Sequence, residues 1–247
     1  MIILMIVYER IVIVLSIYHR EQQYLALLSE RTHTVHELSE KLFISEPTVR
    51  RDIITLEKKE LITCQRGIVS LKTRYADQRI PLAVRDMERT SEKKEIALKA
   101  ANLVKDGDTI MMDASTTAFF VLPHLTRFQN LLVITNGAKT ALEAASLGIR
   151  TICTGGEMTL ESFSYVGTDA ETMLLQYHAD IAFFSCRGID NNGLATDNSI
   201  LENAMRRIMI KQSKKNYLLF DSNKFGNTYL NTLCHIRDID GLISNTK

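Results

Sequence analysis

The strongest constraint on the fold is an ordered run of capping and turn signals in the first third of the chain. Thr34 stands three residues before Glu37, which is the spacing of a capping box and predicts the start of a short helix over Val35–Leu42. A second helix follows after a tight turn, because Ser45 is a good N-cap residue and Pro47 is tolerated in a first helical turn. Two short helices joined in this way predict a helix-turn-helix unit.

The second helix continues over Thr48–Lys59, and its apolar residues recur with the helical period. If those residues face the core, the N-terminal end of the helix is exposed and carries residue types that contact bases and phosphates in a major groove. The DNA-contacting residues expected at this end are Ser45, Pro47, Thr48, Arg50 and Arg51. Two arginines alone are typical of a solvated helix face, so it is the ordered set of caps, turn and helix that favours DNA binding.

A β-compatible segment over Leu61–Leu71 comes next, interrupted at Arg66 and Gly67. Two short runs joined at a glycine predict a small hairpin with the proportions of a wing. We expect Arg66 at its tip to reach a phosphate or the minor groove. Thr34, at the start of the first helix, is also counted among the DNA-contacting residues.

After residue 90 the pattern changes, and β-like runs alternate with helix-compatible stretches. The runs are Thr109–Met112, Leu131–Thr135, Thr151–Thr154, Ile181–Ser185 and Asn216–Phe220. Because parallel strands need crossover connections, this alternation predicts an α/β domain with a mostly parallel sheet covered by helices. Ligands of such sheets bind beyond the carboxyl ends of the strands.

The change of pattern predicts two domains and a linker. The linker, residues 74–90, is charged, contains Pro81 and shows no sustained period. The expected organisation is an apolar extension over residues 1–18, a winged helix-turn-helix domain over 19–73, the linker over 74–90 and an effector-binding domain over 91–247.

Small and polar residues follow the predicted strands. Ser115, Thr116 and Thr117 stand at the start of a helix and suit a phosphate group. Asp113 would repel a dianion, so we expect it to accept hydrogen bonds from sugar hydroxyls, while Lys224 would supply positive charge. The next two strands likewise end in small or polar residues, Thr135 and Asn136 and then Gly155 and Gly156, which we expect to bind an effector as well.

These motifs resemble one known family. The segment Gln23–Leu71, above all SEPTVRRDIITLEKKELI, looks like the winged helix-turn-helix of DeoR-family bacterial repressors. Residues 91–247 resemble the effector domain of that family, which is similar in fold to ribose-5-phosphate isomerase, through DGDTIMMDASTT, VITNG, TGG, VGTDAE, RGIDNNGLAT and DSNKFG. The resemblance implies a repressor of sugar-metabolism genes, released from its operator by a phosphorylated sugar or a related anionic metabolite. It also implies that the strand-end residues named above, together with Gly188, surround this effector.

The chain departs from the family pattern in two places. The wing reads Gln65 to Ile68 where the family usually has His-Gly-Gly, and Cys186 and Arg187 stand where small or acidic residues usually precede a loop glycine. A guanidinium there favours a second anionic group, such as a carboxylate or another phosphate oxygen. The alternative is that Arg187 pairs internally with Asp190 or Asp113.

A competing hypothesis is a sugar-phosphate isomerase-like enzyme with a fused DNA-binding domain. Proton transfer next to a carbonyl requires a placed carboxylate, and the isomerase relatives look to keep theirs in the loop where this chain has Cys186 and Arg187. A fused DNA-reading domain also favours sensing over turnover. We therefore expect no enzymatic activity.

The overall composition restricts the partners. Lys and Arg number 30 against 29 Asp and Glu, so contact with DNA depends on a local patch rather than on net charge. The four cysteines form no CxxC pair and are expected to be reduced thiols, with no metal and no cofactor. We expect a cytoplasmic homo-oligomer that binds double-stranded operator DNA and a phosphorylated sugar, since a helix-turn-helix monomer buries little DNA surface.

The first eighteen residues are almost wholly apolar, but Glu9 and Arg10 split them near the middle. A helix of this length rises only about 27 Å, slightly less than a hydrocarbon core, and a central ion pair there is costly. We expect a non-membrane segment. It either packs on the body or on a dimer partner, or it precedes the true start of the domain.

Overall fold

The computed structural model describes residues 20–21, 23–25, 27–28, 31–59, 61–71, 90–159 and 161–246. The chain divides into two compact units, Met1–Glu88 and Arg89–Lys247. The apolar extension over residues 1–18 and residues 74–89 of the expected linker lie outside the described residues. No helix within the described ranges has both the length and the apolar character needed to span a membrane.

From residue 31 onward, the described part of the first unit consists of two helices followed by a hairpin. Helix α1 spans Val35–Leu42 and helix α2 spans Glu46–Lys58. Strand β2 (Ile62–Gln65) pairs antiparallel with β3 (Ile68–Leu71), and β3 also pairs with the two-residue strand β1 (His33–Thr34), giving the order β1-β3-β2. This is the predicted helix-turn-helix with a wing.

The inward face of α2 is the predicted apolar one. Val49, Ile53 and Leu56 are at most 4% exposed and belong to one hydrophobic cluster with residues of α1 and of both hairpin strands. A helical segment within residues 20–28 adds Tyr24 and Leu25 to the same cluster. Because this face is fully used for packing, the opposite face of α2 is left to solvent.

The capping box predicted for α1 is confirmed. The Thr34 side chain accepts a hydrogen bond from Glu37 N at 3.1 Å, and Thr34 N donates to Glu37 Oε2 at 2.7 Å. The corresponding prediction for Ser45 is wrong in one respect. Ser45 has the extended backbone of an N-cap residue, but its side chain makes no capping bond because its hydroxyl pairs with Thr48 Oγ1 at 3.0 Å.

The second unit is built on a six-stranded sheet whose paired strands are all parallel. Its strands are β4 (Thr109–Met112), β5 (Leu132–Thr135), β6 (Arg150–Cys153), β9 (Ala179–Phe184), β12 (Ser213–Leu219) and β14 (Gly241–Ile243), in the order β14-β12-β9-β4-β5-β6. The sequence predicts five of these strands, and the bounds of β4 are the predicted ones. Strand β14 was not predicted because its three residues are too short for a periodic signal.

Helices cover both faces of this sheet, as predicted. They are α3 (Thr90–Ala101), α4 (Thr116–Phe119), α5 (Leu122–Leu125), α6 (Ala138–Ser146), α7 (Thr168–Leu174) and α8 (Ile200–Gln212). Neighbouring strand residues point to opposite faces, so Met112 joins a cluster with residues of α3 and α5 while Met111 joins one with residues of α7 and α8. The mostly parallel α/β architecture is therefore confirmed.

Two small sheets that the sequence did not predict follow the carboxyl ends of β6 and β9 in the chain. The hairpin of β7 (Glu157–Thr159) and β8 (Ser164–Val166) comes after β6. After β9, the short strand β10 (Gly188–Ile189) pairs with β11 (Leu194–Asp197), which also pairs with β13 (Asn231–His235). Two 3-10 turns, Ser222–Lys224 and Ile236–Asp238, flank β13 in the sequence.

Candidate functional site

The N-terminal end of α2 presents two exposed arginines. The side chain of Arg50 is 63% exposed and lies 3.4 Å from Glu46 Oε2, while Arg51 Nε donates to Pro47 O at 3.4 Å. Both contacts are within the helix, are exposed and are long, so they hold the side chains weakly. The two guanidinium groups are therefore free to exchange these contacts for an external anion or for base edges.

Side chains outside the exposed face fix the position of α2. His36 Nδ1 of α1 lies 3.1 Å from Glu46 Oε1 in the first turn of α2. Farther along the helix, Asp52 lies 3.2 Å both from Arg20 Nε and from the hydroxyl of Tyr24. Burial is the largest cause that raises the pKa of Tyr24, followed by the charge of Asp52. The helix is thus anchored to the residues before it while its arginine-bearing end stays open.

The tip of the hairpin is exposed and attached to the start of α1. Arg66 and Gly67 both have positive φ angles, 50° and 79°, as a tight two-residue turn requires. Gly67 O accepts a hydrogen bond from Val35 N at 3.2 Å. Thr34 lies at the same place, but its hydroxyl is already occupied by the capping box with Glu37. Arg66 is therefore available for an external contact, whereas the hydroxyl of Thr34 serves the helix.

A second constellation lies at the carboxyl edge of the parallel sheet. Asp113 follows β4 and is 2% exposed. Its Oδ1 accepts hydrogen bonds from the backbone N and the hydroxyl of Ser115, at 3.1 and 2.5 Å. Its Oδ2 accepts from Ser185 N at 3.2 Å and from Arg206 Nε at 2.8 Å. A carboxylate has about four acceptor positions, so a sugar hydroxyl would have to displace one of these bonds, and the contact of Asp113 with an effector stays a prediction.

Arg206 is the centre of the polar network around Asp113. It is 4% exposed, and its guanidinium also contacts Asp197 Oδ2 at 2.9 Å and Glu202 Oε2 at 3.1 Å. Burial alone would lower the pKa of Arg206, but the three carboxylates raise it above its ordinary value. Burial likewise opposes ionisation of Asp197, yet Arg206 keeps the pKa of Asp197 below its ordinary value. The buried guanidinium of Arg206 therefore keeps its charge, and Asp197 is held in its ionised form beside it.

Glu202 extends this network to the hairpin of β7 and β8. Its Oε1 accepts hydrogen bonds from the hydroxyls of Ser162 and Ser164, the latter at 3.0 Å. Thr159 Oγ1 lies 2.7 Å from the Ser162 hydroxyl. The network thus connects α8, the end of β4 and the β7–β8 hairpin through side chains alone.

Asn136, which follows β5, has a buried acceptor without a partner. The residue is 2% exposed, its Nδ2 donates to Tyr165 O at 3.0 Å, and its Oδ1 has no hydrogen-bond partner in the described part of the chain. Thr135 Oγ1 accepts from Gly137 N at 3.0 Å and orders the same turn. An unsatisfied buried acceptor is costly and marks a place where a donor is expected.

The three hydroxyl residues after Asp113 fall into two groups. Ser115 caps α4 by accepting from Ala118 N at 3.2 Å, besides donating to Asp113. Thr116 and Thr117 are 6% and 2% exposed, and neither side chain forms a hydrogen bond with another described residue. Only these two hydroxyls of the expected group are therefore unused.

The glycines expected around an effector have different structural roles. Gly155 has a φ of 64° and open space where a Cβ would lie. A Cβ at Gly156 would lie 2.8 Å from Val166 O, and one at Gly188 only 2.4 Å from Asn227 O and 2.8 Å from the ring of Tyr229. Gly188 is thus required for the close packing of the chain segment after β12, and its contact with an effector stays a prediction.

Two cationic side chains lie beside the loop after β9. Lys224 Nζ donates to Ser185 Oγ at 2.9 Å and is 4.0 Å from Asp221 Oδ2. Arg187 stacks on the ring of Tyr229 instead of forming an ion pair with Asp190 or Asp113, so that alternative is wrong. Asp113 instead forms an ion pair with Arg206. The sequence did not predict this pairing, because an arginine on an amphipathic helix ordinarily faces solvent.

The buried thiol of Cys186 does not ionise readily. Burial raises the pKa of Cys186 to about 11, although the charges of Lys224 and Arg206 act in the opposite direction. Burial also raises the pKa of Cys234, to about 12. All four cysteines of the chain are free thiols, as predicted.

Comparison with known proteins identifies both units. A family model described as the DeoR-like helix-turn-helix domain matches residues 20–74, and one described as the DeoR C terminal sensor domain matches residues 88–246. The chain is 34% identical over 230 residues to the HTH-type transcriptional regulator YulB of Bacillus subtilis, covering 92% of this chain and 88% of that protein. It is 34% identical over 238 residues to the HTH-type transcriptional regulator GolR of Listeria innocua, covering 93% and 91%.

A further relative is the lactose phosphotransferase system repressor of Staphylococcus epidermidis, 28% identical over 232 residues that cover 92% of both chains. Among solved structures, ribose 5-phosphate isomerase from Plasmodium falciparum matches with a TM-score of 0.42 and 20% identity, over 56% of this chain and 53% of that chain. The eIF2B delta subunit from Chaetomium thermophilum matches with a TM-score of 0.49 and 19% identity, over 64% and 57%.

Proposed function

The chain belongs to the DeoR family of helix-turn-helix transcriptional regulators, and from that premise we propose that it represses sugar-metabolism genes until a phosphorylated sugar releases it. In this proposal α2 and the wing bind the operator, and the sugar binds at the carboxyl edge of the parallel sheet. The lactose phosphotransferase system repressors among its relatives support sugar metabolism as the regulated process. We retain the domain limits that the sequence predicts, with residues 74–90 as the linker between the two domains.

The observation that carries the DNA-binding half is the open end of α2. The core-facing apolar side chains of α2 are at most 4% exposed. Arg50 and Arg51 project from the opposite face and make only weak contacts with residues of their own helix. Guanidinium groups in a major groove donate paired hydrogen bonds to guanine. Ser45, Pro47 and Thr48, at the N-terminal end of the same helix, are proposed to contact the phosphates of the DNA backbone. Arg66 at the exposed hairpin tip adds a phosphate or minor-groove contact.

The effector half is supported by polar groups at the sheet edge whose chemistry suits a sugar phosphate. The hydroxyls of Thr116 and Thr117 and the ammonium of Lys224 suit a phosphate, and the unpartnered oxygen of Asn136 suits a donor such as a sugar hydroxyl. The backbone at Gly155 leaves room for a close approach. The Arg206 network holds these strand ends in position and does not itself take the ligand.

We propose sensing rather than turnover for this site. Arg206 engages three carboxylates near the sheet edge, Glu202, Asp113 and Asp197, and a fourth, Asp221, lies 4.0 Å from Lys224. A carboxylate held in an ion pair is a poor general base, because the partner favours its ionised form and lowers its basicity. This supports a binding site without isomerase activity.

The regulator is proposed to act as a cytoplasmic homo-oligomer. Two or more recognition helices on repeated half-sites would bury enough DNA surface for specific binding. Effector binding would then alter the relative orientation of the DNA-reading units through the 74–90 linker. A coupling of about 1–3 kcal/mol between sugar and operator is sufficient for such a switch.

The test starts from selection of an operator. The full chain is incubated with a random duplex library, and the enriched sequence becomes the probe for titration by fluorescence anisotropy. A thermal-shift panel of pentose and hexose phosphates identifies the sugar, which is then added to the operator complex. We expect a repeated half-site in the selected DNA and a fall in operator affinity of about 5- to 150-fold with the sugar.

Two outcomes would contradict the proposal. If no sequence is enriched from the library, the hypothesis of operator binding is wrong. If no phosphorylated sugar changes the affinity for the operator, the hypothesis of sugar sensing is wrong. Nuclear magnetic resonance of the identified sugar phosphate with the protein serves as a control. Conversion into an isomer at a catalytic rate would favour the isomerase-like enzyme instead.

A further inference from the structure

The loop after β9 carries a guanidinium group that no described carboxylate neutralises. Arg187 is half-buried, and its Cζ lies 5.1 Å from the centroid of the Tyr229 ring, within the range of a cation–π contact. Within the described ranges it takes part in no ion pair. Burying part of a charge without a counter-ion is costly unless another group compensates it.

The carboxylates nearest to this loop in the chain are committed elsewhere. Asp190 Oδ1 accepts hydrogen bonds from Asn192 N at 2.9 Å and from Leu194 N at 2.7 Å, which closes the β10–β11 turn. Asp197, at the end of β11, pairs with Arg206. Neither of these two carboxylates forms an ion pair with Arg187 in the described part of the chain.

The stacked pair is held in place from both sides. Arg187 N donates to Thr196 O at 3.0 Å, and Tyr229 N donates to Thr196 Oγ1 at 2.9 Å. The Tyr229 ring also closes over Gly188 so tightly that a Cβ there would be only 2.8 Å from it. The backbones of both residues are thus fixed to the same residue of β11, and the guanidinium is oriented by its contact with the Tyr229 ring.

Lys224 and Arg187 meet the chain segment after β12 at separate points. Lys224 bonds to Ser185, before the loop, and Phe225 next to it forms a bridge with Ile189. Arg187 instead lies over Tyr229, at the far end of the same segment. Lys224 thus lies at the beginning of this segment, and Arg187 contacts its end. We therefore expect the two cations to meet two different anionic groups.

We propose that Arg187 is a specificity-determining residue that selects an effector with a second anionic group in addition to its phosphate. The ligand class is a sugar bisphosphate or a phosphorylated sugar acid, with Lys224 on one anionic group and Arg187 on the other. This inference rests on the proposed function, since it names the class of ligand taken by the same sheet edge. Guanidinium is suited to this role because it pairs with carboxylate or phosphate oxygens through two parallel hydrogen bonds.

The experiment compares matched ligands on the full chain by isothermal titration calorimetry. The probes are pentose and hexose monophosphates, the corresponding bisphosphates, and phosphorylated aldonic acids such as 6-phosphogluconate. The variants are Arg187→Met and Arg187→Lys, with Arg150→Met as the control. Arg150 is exposed and begins β6, so it lies at the amino edge of the sheet, opposite the carboxyl edge that is proposed to bind the effector. Circular dichroism and thermal unfolding verify that each variant is folded.

We expect at least one doubly anionic probe to bind the unaltered chain about tenfold or more tightly than its matched monophosphate, because a hydrogen bond to a charged group contributes on that scale. Arg187→Met should abolish this preference and leave the dissociation constant of the monophosphate within about twofold. Arg187→Lys should retain part of the preference, and Arg150→Met all of it.

The remaining outcomes overturn the inference in different ways. Equal losses for monophosphate and doubly anionic probes in Arg187→Met would make Arg187 part of a clamp on a single phosphate. A monophosphate that binds the unaltered chain as tightly as its doubly anionic partner would show that no second anion is selected, while the proposed function would stand. If no member of either class binds, the proposed function fails together with the inference.

Discussion

Arg206 Nε donates to Asp113 Oδ2 at 2.8 Å, which joins the middle of α8 to the first residue after β4. The same Asp113 carboxylate receives the backbone N–H of Ser185 after β9, so three elements meet on one side chain. Both partners of the ion pair are at most 5% exposed. The shape of the sheet edge that is proposed to bind the effector is therefore set by a buried ion pair.

Removing Arg206 should destabilise the chain strongly. Arg206→Met leaves Asp113 and Asp197 buried without their cation, and we expect the free energy of unfolding to fall by about 3–5 kcal/mol in urea denaturation. Lys211→Met, at an exposed position of the same helix, is the control and should change it by no more than about 0.5 kcal/mol. A loss no greater than that of the control would mean that the network does not support the fold.

Lys224→Ala should separate sensing from DNA binding. The ammonium group lies at the sheet edge, bonded to the Ser185 hydroxyl, whereas the operator is proposed to contact the other unit. We expect unchanged operator affinity but a response to the phosphorylated sugar that is weaker by about 1.5–3 kcal/mol in sugar affinity. Lys214→Ala, which removes an exposed lysine at the start of β12, is the matched control. A normal sugar response in Lys224→Ala would exclude this lysine from the site.

Arginine substitutions in α2 should weaken operator binding. Arg50→Ala or Arg51→Ala is expected to cost about 1–3 kcal/mol if the guanidinium makes a bidentate base contact, measured by anisotropy titration at fixed salt. Lys58→Ala removes an exposed cation from the other end of the same helix and should cost clearly less. Unchanged affinity in both arginine variants would refute the assignment of this helix end to the groove.

The capping box should make stability depend on acid pH. The hydrogen bond from Thr34 N, and then Arg31, lower the pKa of Glu37 from 4.5 to about 2. A folded-state pKa below the unfolded value stabilises the fold above about pH 4.5, and that stabilisation is lost as the pH falls towards 2. The difference in unfolding free energy between the unaltered chain and Glu37→Gln, which keeps a side-chain acceptor, should shrink across this range. A difference independent of pH would contradict the assignment.

The turn between α1 and α2 offers a stabilising substitution. Phe43 has a φ of 55° and is 94% exposed, so it adopts a left-handed backbone without burying its ring. Left-handed backbone costs ordinary residues roughly 1–2 kcal/mol and is tolerated by asparagine. We expect Phe43→Asn to raise the free energy of unfolding by about 0.5–1 kcal/mol in thermal denaturation. Phe43→Ala keeps the strain and is the control, so equal effects of both would show that the backbone conformation is not the cause.

The parts of the fold that the sequence predicted have local causes. The capping box of Thr34 and Glu37, the apolar period of α2 and the turn at Gly67 are decided by residues within a few positions of one another. Strand β4 was predicted with its observed bounds because a buried run between polar turns needs no knowledge of its neighbours. Ser45 shows the limit of such signals, since the hydroxyl of Thr48 competes for its side chain.

The site was predicted less completely than the fold. Its expected residues lie at strand ends, but the sequence does not reveal that Arg206 already bonds to Asp113 or that Gly188 lies under Tyr229. Glu202 and Arg206 were missed altogether, as their spacing is that of an ordinary surface ion pair one helical turn apart.

Local order in the chain was enough to specify a DNA-reading helix pair and an alternation of strands and helices, because caps, periodicity and glycine turns act over a few residues. Only the tertiary structure shows which polar groups are hydrogen-bonded within the chain and which remain for a ligand. The reason is that α8 places Arg206 against residues that are far away in the sequence. Burial makes that difference, since a charge removed from water must find its partner wherever the fold supplies one.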